Sequence, residues 1–330
     1  MKVTLSDIAA HLGISASTVS RALSVPERVN PATRQRVLQA AQELGYLSPA
    51  WQAAPDAEPR PLGLVVPDIV NPFFPPIIKA VQARAAVRGR SVILADIDEH
   101  PPDELIRAEQ IADQVDGLIV VSARTPREKM DALINLKPIV LVNRSHERAS
   151  SVDIENDSGI FEAVEHLVAL GHRKISYLAG PRRSWSNTQR LQAMRSAAEH
   201  HGVELVEFGP FEPQIQAGIR AADLIYASGV TAVIAYDDLI ALGVITRLNE
   251  RGIQVGHEVS VIGIDDSPLS GMTYPTLTSI HVPGAEAGMT AVDVLVDLLD
   301  ATPGTPEAAI KRIRLETRLV VRGSTGSAPA

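Results

Sequence analysis

Cysteine is absent from the 330 residues, which excludes disulfides, thiolate metal sites and a cysteine nucleophile. Aromatic residues make up only 4% of the chain, and no apolar run approaches the length that spans a membrane. The N-terminus is polar and lacks the apolar segment of a signal peptide. These absences predict a cytoplasmic protein without a membrane partner.

Motifs of common enzyme classes are also missing. No predicted strand is followed by Gly-x-Gly-x-x-Gly, and the chain has neither a P-loop nor a Gly-x-Ser-x-Gly elbow. The nine His residues are scattered without metal-ligand spacing. We therefore expect a protein that is not an enzyme and that has no cofactor and no metal site.

The length of the chain is too great for one ordinary core, so we expect about two or three domains. The net charge of −8 is unevenly distributed. Residues 1–49 carry five basic and three acidic side chains, a balance of +2, and the remaining 281 residues carry −10. A weakly basic head on an acidic body is compatible with DNA binding through the head alone.

Residues 4–23 predict two short helices joined by a tight turn. Thr4 and Asp7 form a capping-box pattern, Gly13 falls at the turn, and Ser15 caps the second helix. Taken alone, this stretch fits an ordinary helical hairpin as well as a DNA-binding helix-turn-helix.

The second predicted helix presents small side chains and one arginine on its outer face. Such a helix fits closely into the major groove, where bulky side chains would hold the backbone away. A third helix over 29–46, with Asn30 as cap and Pro31 in its first turn, completes a small bundle and favours DNA binding. The outer-face residues are Ala16, Ser17, Thr18, Ser20 and Arg21.

From residue 62 onward, short apolar runs alternate with segments of helical period, which predicts buried parallel strands between helices. Two such series follow each other, so we expect two doubly wound α/β lobes with a ligand in the cleft between them. The predicted strands are 62–67, 91–96, 117–122, 138–142, 174–180, 203–208, 231–236 and 259–264, with helices near 74–89, 102–114 and 126–135.

The motifs of the chain resemble the lac repressor / galactose repressor family of bacterial transcription regulators. The similar segments are TLSDIAAHLGISASTVSRAL, VNPATRQRV, ELGY, GLVVPDIVNPFF, LGHRKI, RLQAM and IGIDD, in family order over nearly the whole chain. The resemblance implies a helix-turn-helix head and a periplasmic-binding-protein-like body. It also implies a ligand-controlled repressor that binds a palindromic operator as a homodimer.

The resemblance further implies three domains. These are a DNA-binding domain over 1–46, a proline-rich linker over 47–61 and an effector-binding and dimerisation domain over 62–330. The chain then crosses three times between lobes. Lobe 1 comprises about 62–158 plus 288–318, and lobe 2 about 159–287 plus 319–324.

Base contacts are expected from Ala16, Ser17 and Arg21, with Arg21 a candidate for guanine. Phosphate contacts are expected from Thr4, Thr18, Ser20, Asn30 and Thr33.

Candidate effector-binding residues lie at or just after predicted strand ends, or match the ligand-binding arginine of the family. Asn143 stands where the family often has Asp, and Asp237 where it usually has Asn. The candidates are Asn71, Phe73, Phe74, Asn143, Ser184, Trp185, Ser186, Arg190, Asp237 and Asp265.

Four of these candidates have ordinary alternatives. Phe73 and Phe74 are either ligand-stacking rings or core residues, and their loop position favours at least one in the cleft. Arg190 contacts either the ligand or a surface carboxylate. Trp185 either covers the ligand or is a partly buried loop residue. Acidic strand ends with one Arg favour a sugar over an anionic metabolite, and a nucleoside is the alternative ligand.

The linker departs from the family pattern. A hinge helix with an Arg and a Leu is usual there, whereas this chain has Ala53 and Pro55 at those positions. We hypothesise that the DNA contact of the hinge is weakened or rebuilt around Trp51 or Pro55, because a proline also acts as a wedge between base steps. The alternative is a semi-rigid spacer without a role in DNA binding.

A periplasmic binding protein would share the body, but the head and the missing signal peptide argue against it. The tail 322–330 is predicted to be disordered and has no leucine heptad, so we expect a dimer rather than a tetramer.

Overall fold

The computed structural model of the protein describes residues 4–24, 29–44, 59–301 and 309–329. Three helices form a small N-terminal head around its own core. Ile8, Val19 and Val37, one from each helix, are fully buried against one another. The helices are α1 (Leu5–Leu12), α2 (Ala16–Ser24) and α3 (Pro31–Glu43).

The predicted caps of the head are confirmed. The hydroxyl of Thr4 accepts from the backbone N–H of Asp7, whose carboxylate accepts from the N–H of Thr4 at 2.8 Å. Gly13 adopts a φ of 66°, a left-handed conformation that glycine takes without strain. The Oγ of Ser15 accepts from the N–H of Thr18 at 3.1 Å, so it caps α2.

The body alternates strands and helices. In chain order its main elements are β1 (Leu62–Val66), α4 (Phe74–Val87), β2 (Val92–Asp96), α5 (Pro101–Ala112), β3 (Gly117–Val121), α6 (Arg127–Ile134), β4 (Ile139–Val142), β5 (Ser150–Glu155), α7 (Asp157–Ala169), β6 (Lys174–Leu178), α8 (Trp185–His201), β7 (Glu204–Phe208), α9 (Ile215–Ser228), β8 (Ala232–Ala235), α10 (Asp238–Glu250), β9 (Ser260–Asp265), β10 (Thr278–His281), α11 (Gly284–Asp300), β11 (Arg312–Glu316) and β12 (Arg318–Val320).

The first lobe is a parallel sheet in the order β11-β5-β4-β3-β1-β2. Helices α4 and α11 pack together on one face, and α5 and α6 cover the other. Because both faces are covered, β1 and β3 are buried along their whole length, which explains their continuous apolar sequences.

The second lobe repeats this arrangement in the order β12-β10-β9-β8-β6-β7. Its strands are parallel except for β12, which runs antiparallel to β10. Helices α7 and α8 share a core on one face, and α9 and α10 share the core of the other. The predicted fold class, a helical head with two doubly wound lobes, is confirmed.

The chain passes between the two sheets after β5, after β10 and after β11. These three crossings place the carboxyl ends of the strands of both lobes next to one cleft. No helix within the described ranges is long and apolar enough to cross a membrane.

The prediction of a disordered tail is wrong for the described residues up to 329. Ser324 is fully buried and donates from Oγ to the carbonyl of Val261 at 2.6 Å. The carbonyl of Gly326 accepts from the hydroxyl of Ser260, and the N–H of Ala328 donates to Leu170. The tail is held through its backbone and small side chains, so its polar composition gave no sign of this packing.

Candidate functional site

The outer face of α2 carries the residues predicted to contact bases. Ala16, Ser17 and Arg21 are exposed, and Thr18 and Ser20 are half-buried beside them. Arg21 folds back along the helix, where its Nε donates to the carbonyl of Ser17 at 3.0 Å. The guanidinium is thus held on the surface of the helix with donors still available.

Three predicted phosphate contacts lie at the starts of α1 and α3. The side chain of Thr4 is engaged in the cap of α1, and Oδ1 of Asn30 accepts from the N–H of Ala32 at 2.9 Å. Thr33 is half-buried in the first turn of α3. Helix N-termini attract phosphate through their free N–H groups and dipole, so these positions suit backbone contacts. Trp51 and Pro55, the predicted hinge contacts, lie outside the described residues.

A narrow cavity of about 20 Å³, partly open to solvent, lies between the two lobes at the carboxyl ends of their strands. Eight of the ten predicted effector-binding residues line it. These are Asn71, Phe73, Phe74, Asn143, Ser186, Arg190, Asp237 and Asp265.

The lobe 1 wall of the cavity is formed by strand ends in an unusual backbone conformation. Ser122 after β3 and Asn143 after β4 have φ values of 47° and 57°, which non-glycine residues rarely adopt. The Nδ2 of Asn143 donates to Oγ of Ser122 at 3.1 Å and to Oγ of Ser186 at 2.9 Å. Since Ser186 belongs to lobe 2, this amide joins the lobes.

Arg190 on α8 is buried at the centre of the lobe 2 wall. Its three donor nitrogens reach three different groups, namely Oδ1 of Asn156 at 3.2 Å, the carbonyl of Tyr236 at 2.6 Å and Oδ1 of Asp265 at 3.3 Å. Burial lowers the pKa of Arg190, but Asp265, Tyr236, Tyr177 and Asp237 together outweigh burial and raise it overall. Arg190 is therefore a buried cation, and its ion pair is not at the surface.

Two acidic side chains of lobe 2 face the cavity. Asp237 caps α10, since its Oδ1 accepts from the N–H of Ile240 at 2.8 Å. Burial raises the pKa of Asp237 to about 7, and neighbouring Asp238 adds to the increase. Burial also raises the pKa of Asp265 well above its ordinary value, although Arg190 opposes this. Asp265 has a φ of 120°, a strained conformation of the kind that clusters at ligand sites.

The two neighbouring phenylalanines, Phe73 and Phe74, differ in how far they belong to the cleft and to the core. Phe73 and Phe74 both line the cavity and pack edge to face with centroids 5.1 Å apart. Phe74 is buried in the core of lobe 1, whereas Phe73 is half-buried. Asn71 holds this turn, because its Oδ1 accepts from the N–H of Phe73 at 3.0 Å.

The other two predicted effector residues, Ser184 and Trp185, are not among those that line the cavity. Ser184 is buried behind it, caps α8 and lies 3.0 Å from the hydroxyl of Tyr236. Trp185 is 36% exposed, lies 5.9 Å from the guanidinium carbon of Arg144 and borders a separate pocket. The backbone turn into α8 points these neighbours in different directions.

Five further residues line the cavity and were missed from the sequence. Arg124 is buried and forms a two-pronged ion pair with Glu99, with distances of 2.9 Å and 3.1 Å. Burial lowers the pKa of Arg124, but Tyr236 and Glu99 reverse the effect and raise it. Ser122, Arg124 and Tyr236 lie just after strands. Because ligands bind beyond the carboxyl ends of parallel strands, these three residues could have been predicted from the sequence. The five residues are Glu99, Ser122, Arg124, Pro213 and Tyr236.

Comparison with known proteins agrees with this architecture. Residues 4–48 match the family described as bacterial regulatory proteins, lacI family, and residues 164–325 match the periplasmic binding protein-like domain. The transcriptional repressor CytR of Escherichia coli (strain K12) is 32% identical, over 99% of this chain and 97% of that protein.

Two solved structures show the same arrangement over almost the whole chain. A complex of the transcriptional regulator CelR with cellobiose has a TM-score of 0.69 and 30% identity, and covers 98% of this chain and 99% of that chain. A Lac repressor dimer bound to operator and the anti-inducer ONPF has a TM-score of 0.73 and 27% identity, and covers 99% and 100%.

A helix-turn-helix head on a two-lobed ligand-binding body defines a ligand-responsive regulator of transcription. The chain belongs to the lacI family of bacterial regulatory proteins. Its relatives are transcription regulators, a class of proteins distinct from enzymes.

Proposed function

We propose that this protein is a transcriptional repressor that binds a palindromic operator as a homodimer and is controlled by a small molecule in the cleft between its lobes. The observation that carries the proposal is the cavity itself. Both lobes contribute buried polar side chains to it, and hydrogen bonds from Asn143 and Arg124 cross from lobe 1 to Ser186 and Ser184.

The head supplies the DNA contacts in this proposal. Arg21, with Ala16 and Ser17, contacts base edges, and the phosphate contacts come from Thr4, Thr18, Ser20, Asn30 and Thr33. One head offers a small contact surface, so two heads in a homodimer contact two half-sites. Trp51 and Pro55 are proposed to contact the operator centre. DNA is the target, which places the protein in the cytoplasm.

The domain boundaries of the proposal are those expected from the sequence. The head covers 1–46, the linker 47–61 and the body 62–330. The lobes exchange at about residues 158, 288 and 318.

The effector is proposed to be a sugar-sized molecule. The cavity is narrow, about 20 Å³, so the lobes must separate to admit such a ligand, and its lining is rich in hydroxyl, amide, carboxylate and guanidinium groups. Structural relatives were solved with cellobiose and with ribose. A nucleoside is the second candidate, because the half-buried ring of Phe73 offers a stacking surface.

Control of DNA binding follows from the hydrogen bonds between the lobes. A ligand that binds one arrangement of the lobes more tightly shifts the population toward it. Since the lobes connect to the heads, the shift changes the distance or orientation of the two heads. The two sites are then coupled through a change in lobe arrangement.

The test measures operator binding by the full-length protein. Fluorescence anisotropy of labelled DNA from upstream of its own gene is the readout. Pentoses, hexoses, disaccharides and nucleosides are added in turn. Release by one compound supports an inducible repressor, and tighter binding indicates a corepressor. DNA binding that no compound changes would contradict ligand control. Arg190→Lys is the matched variant, which keeps the charge but loses the forked contacts, and we expect it to bind DNA normally and respond weakly to ligand.

A further inference from the structure

The cavity contains two ion pairs, each of which joins one carboxylate to one guanidinium. Glu99 contacts Arg124, and Asp265 contacts Arg190. A buried charge is stable only when it is paired and hydrogen-bonded, so these two pairs account for both cations that line the cavity.

Asp238, which follows Asp237 in the chain, is buried but fully occupied. Its Oδ2 accepts from the N–H of Ser267 at 2.7 Å and from the hydroxyl of Ser270 at 2.6 Å. Its Oδ1 accepts from the hydroxyl of Ser279 at 2.6 Å. Three donors satisfy this carboxylate within lobe 2, and it does not line the cavity.

Asp237 differs from all of these acidic side chains. It lines the cavity and is 2% exposed, and its Oδ1 is used by the α10 cap. Its Oδ2 is buried and has no hydrogen-bond partner among the described residues. An unpartnered buried carboxylate oxygen is costly, because it has lost its water and gained nothing in return.

We propose that the effector carries a protonated amine that binds Oδ2 of Asp237, so that the ligand is an amino sugar rather than a neutral sugar. The ligand hydroxyls would engage Asn143, Arg190 and Asp265, and the ammonium would supply the missing donor and the missing positive charge. Burial is the main cause of the raised pKa of Asp265, and Asp238 and Asp237 add to it, so the same cation would offset part of this increase.

This inference rests on the proposed function, since it names the ligand class of the same cleft. A neutral hydroxyl would also donate to Oδ2, but Asp237 would remain the one carboxyl group lining the cavity without a cationic partner. The two ligand classes therefore differ in how strongly they depend on the negative charge at residue 237.

The substitution Asp237→Asn separates the two classes. Asn is as good a helix cap as Asp and keeps an oxygen for the N–H of Ile240, so the fold of α10 is retained. An ammonium ligand loses its ion pair in D237N, whereas a hydroxyl ligand still finds an amide oxygen. The control is Asp153→Asn, because Asp153 also has a buried oxygen without a partner in the described part of the chain but borders the separate pocket beside Trp185.

The experiment is calorimetric titration of the full-length protein with glucosamine, galactosamine and mannosamine, each beside the parent hexose. We expect one amino sugar to bind at least about 30-fold more tightly than its parent hexose, since loss of a buried charge partner costs this much or more. D237N should remove this preference, and D153N should keep it.

Operator release is measured with the same compounds. One outcome overturns the amine assignment and leaves the proposed function intact. In this outcome a neutral sugar releases the operator, and its affinity for D237N is within about threefold of its affinity for the unsubstituted protein. Failure of all three amino sugars to bind also overturns it. An amino sugar that binds through Asp237 without affecting DNA supports the assignment and contradicts the proposed regulation.

Discussion

Asn143 at the end of β4 donates a hydrogen bond of 2.9 Å to the hydroxyl of Ser186 at the start of α8, so one amide connects the two lobes directly beside the cavity. The same nitrogen holds Ser122 in lobe 1. Both Asn143 and Ser122 are in the left-handed region, a conformation that costs free energy and persists where the surroundings enforce it. The surrounding structure therefore holds Asn143 in the orientation that forms the hydrogen bond between the lobes.

Substitutions at Asn143 should separate backbone strain from hydrogen bonding. We expect Asn143→Gly to lose about 1–2 kcal/mol of unfolding free energy, because two buried hydrogen bonds disappear while glycine accepts the φ of 57°. Asn143→Ala should lose about 1 kcal/mol more, because alanine keeps the strain without the bonds. Urea unfolding measures both differences. The idea fails if the Gly and Ala variants are equally stable.

A double-mutant cycle between Asn143→Gly and Ser186→Ala tests the contact between the lobes. If the hydrogen bond joins them, the two effects are not additive, and the coupling free energy is about 0.5–1.5 kcal/mol. Strict additivity would show that the two side chains act independently.

Arg21 should carry operator specificity. Removal of its guanidinium in Arg21→Ala should weaken operator binding by about 1–3 kcal/mol, the contribution of one forked contact to a base. Binding to random DNA should change much less, and both must be measured at one salt concentration. Arg36→Ala removes the same charge from an exposed position of α3 and is the control. Equal losses on both DNAs would instead assign Arg21 to the phosphate backbone.

Gly218 should tolerate no side chain, because α9 and α10 are in backbone contact there. A Cβ at this position would lie 2.0 Å from the carbonyl oxygen of Ile240 and 2.9 Å from the Cα of Gly243. Since backbone atoms cannot move aside locally, we expect Gly218→Ala to lose about 3 kcal/mol or more. The control is Gly271→Ala, where no atom of the described residues lies within 4 Å of the new Cβ. Thermal unfolding of both variants measures the contrast.

Most of the strands that were predicted from the sequence are buried on both faces, and only the predicted edge strands β2 and β7 are partly exposed. Runs such as LGLVV in β1 and GLIVV in β3 stand out because nothing polar interrupts them. The strands β5 and β11 were not predicted, since SSVDIE and RIRLE alternate polar and apolar residues near the edge of the sheet. Their pairing joins residues about 160 positions apart, and no local pattern signals such a contact.

The part of the candidate site that lies at the ends of buried strands was predicted from the sequence, and the parts that lie in other loops and turns were not. Asn143 and Asp265 were found because they end buried strands. Glu99 was missed because it lies in the loop after β2, in a left-handed conformation with a φ of 48° that non-glycine residues seldom take. Trp185 was selected for its neighbours, but the direction of its side chain depends on how α8 begins. Side-chain direction at a turn is set by backbone angles that the sequence does not display.

The unpaired state of Asp237 predicts how stability depends on pH. Burial raises its pKa from 3.8 to about 7 in the folded protein. Below about pH 4 the group is protonated in both folded and unfolded chains, so it has no effect on stability. Between pH 4 and 7 the unfolded chain ionises first, so stability falls, and above 7 the loss is constant at about 4 kcal/mol.

Asp237→Asn should therefore be more stable than the parent protein, with a difference that grows from pH 4 to 7 and then levels off. The charged and titratable groups around the site, namely Glu99, Arg190, Tyr236, Asp238 and Asp265, are present in both proteins, so the difference reports on residue 237. Urea unfolding at pH 4.5, 6 and 8 measures it. Asp300→Asn removes the same charge from a side chain that is 63% exposed, and its effect should stay small throughout. A difference for D237N that is equal at all three pH values would show that Asp237 is ionised throughout, and that a group in the cavity compensates its charge even without a ligand.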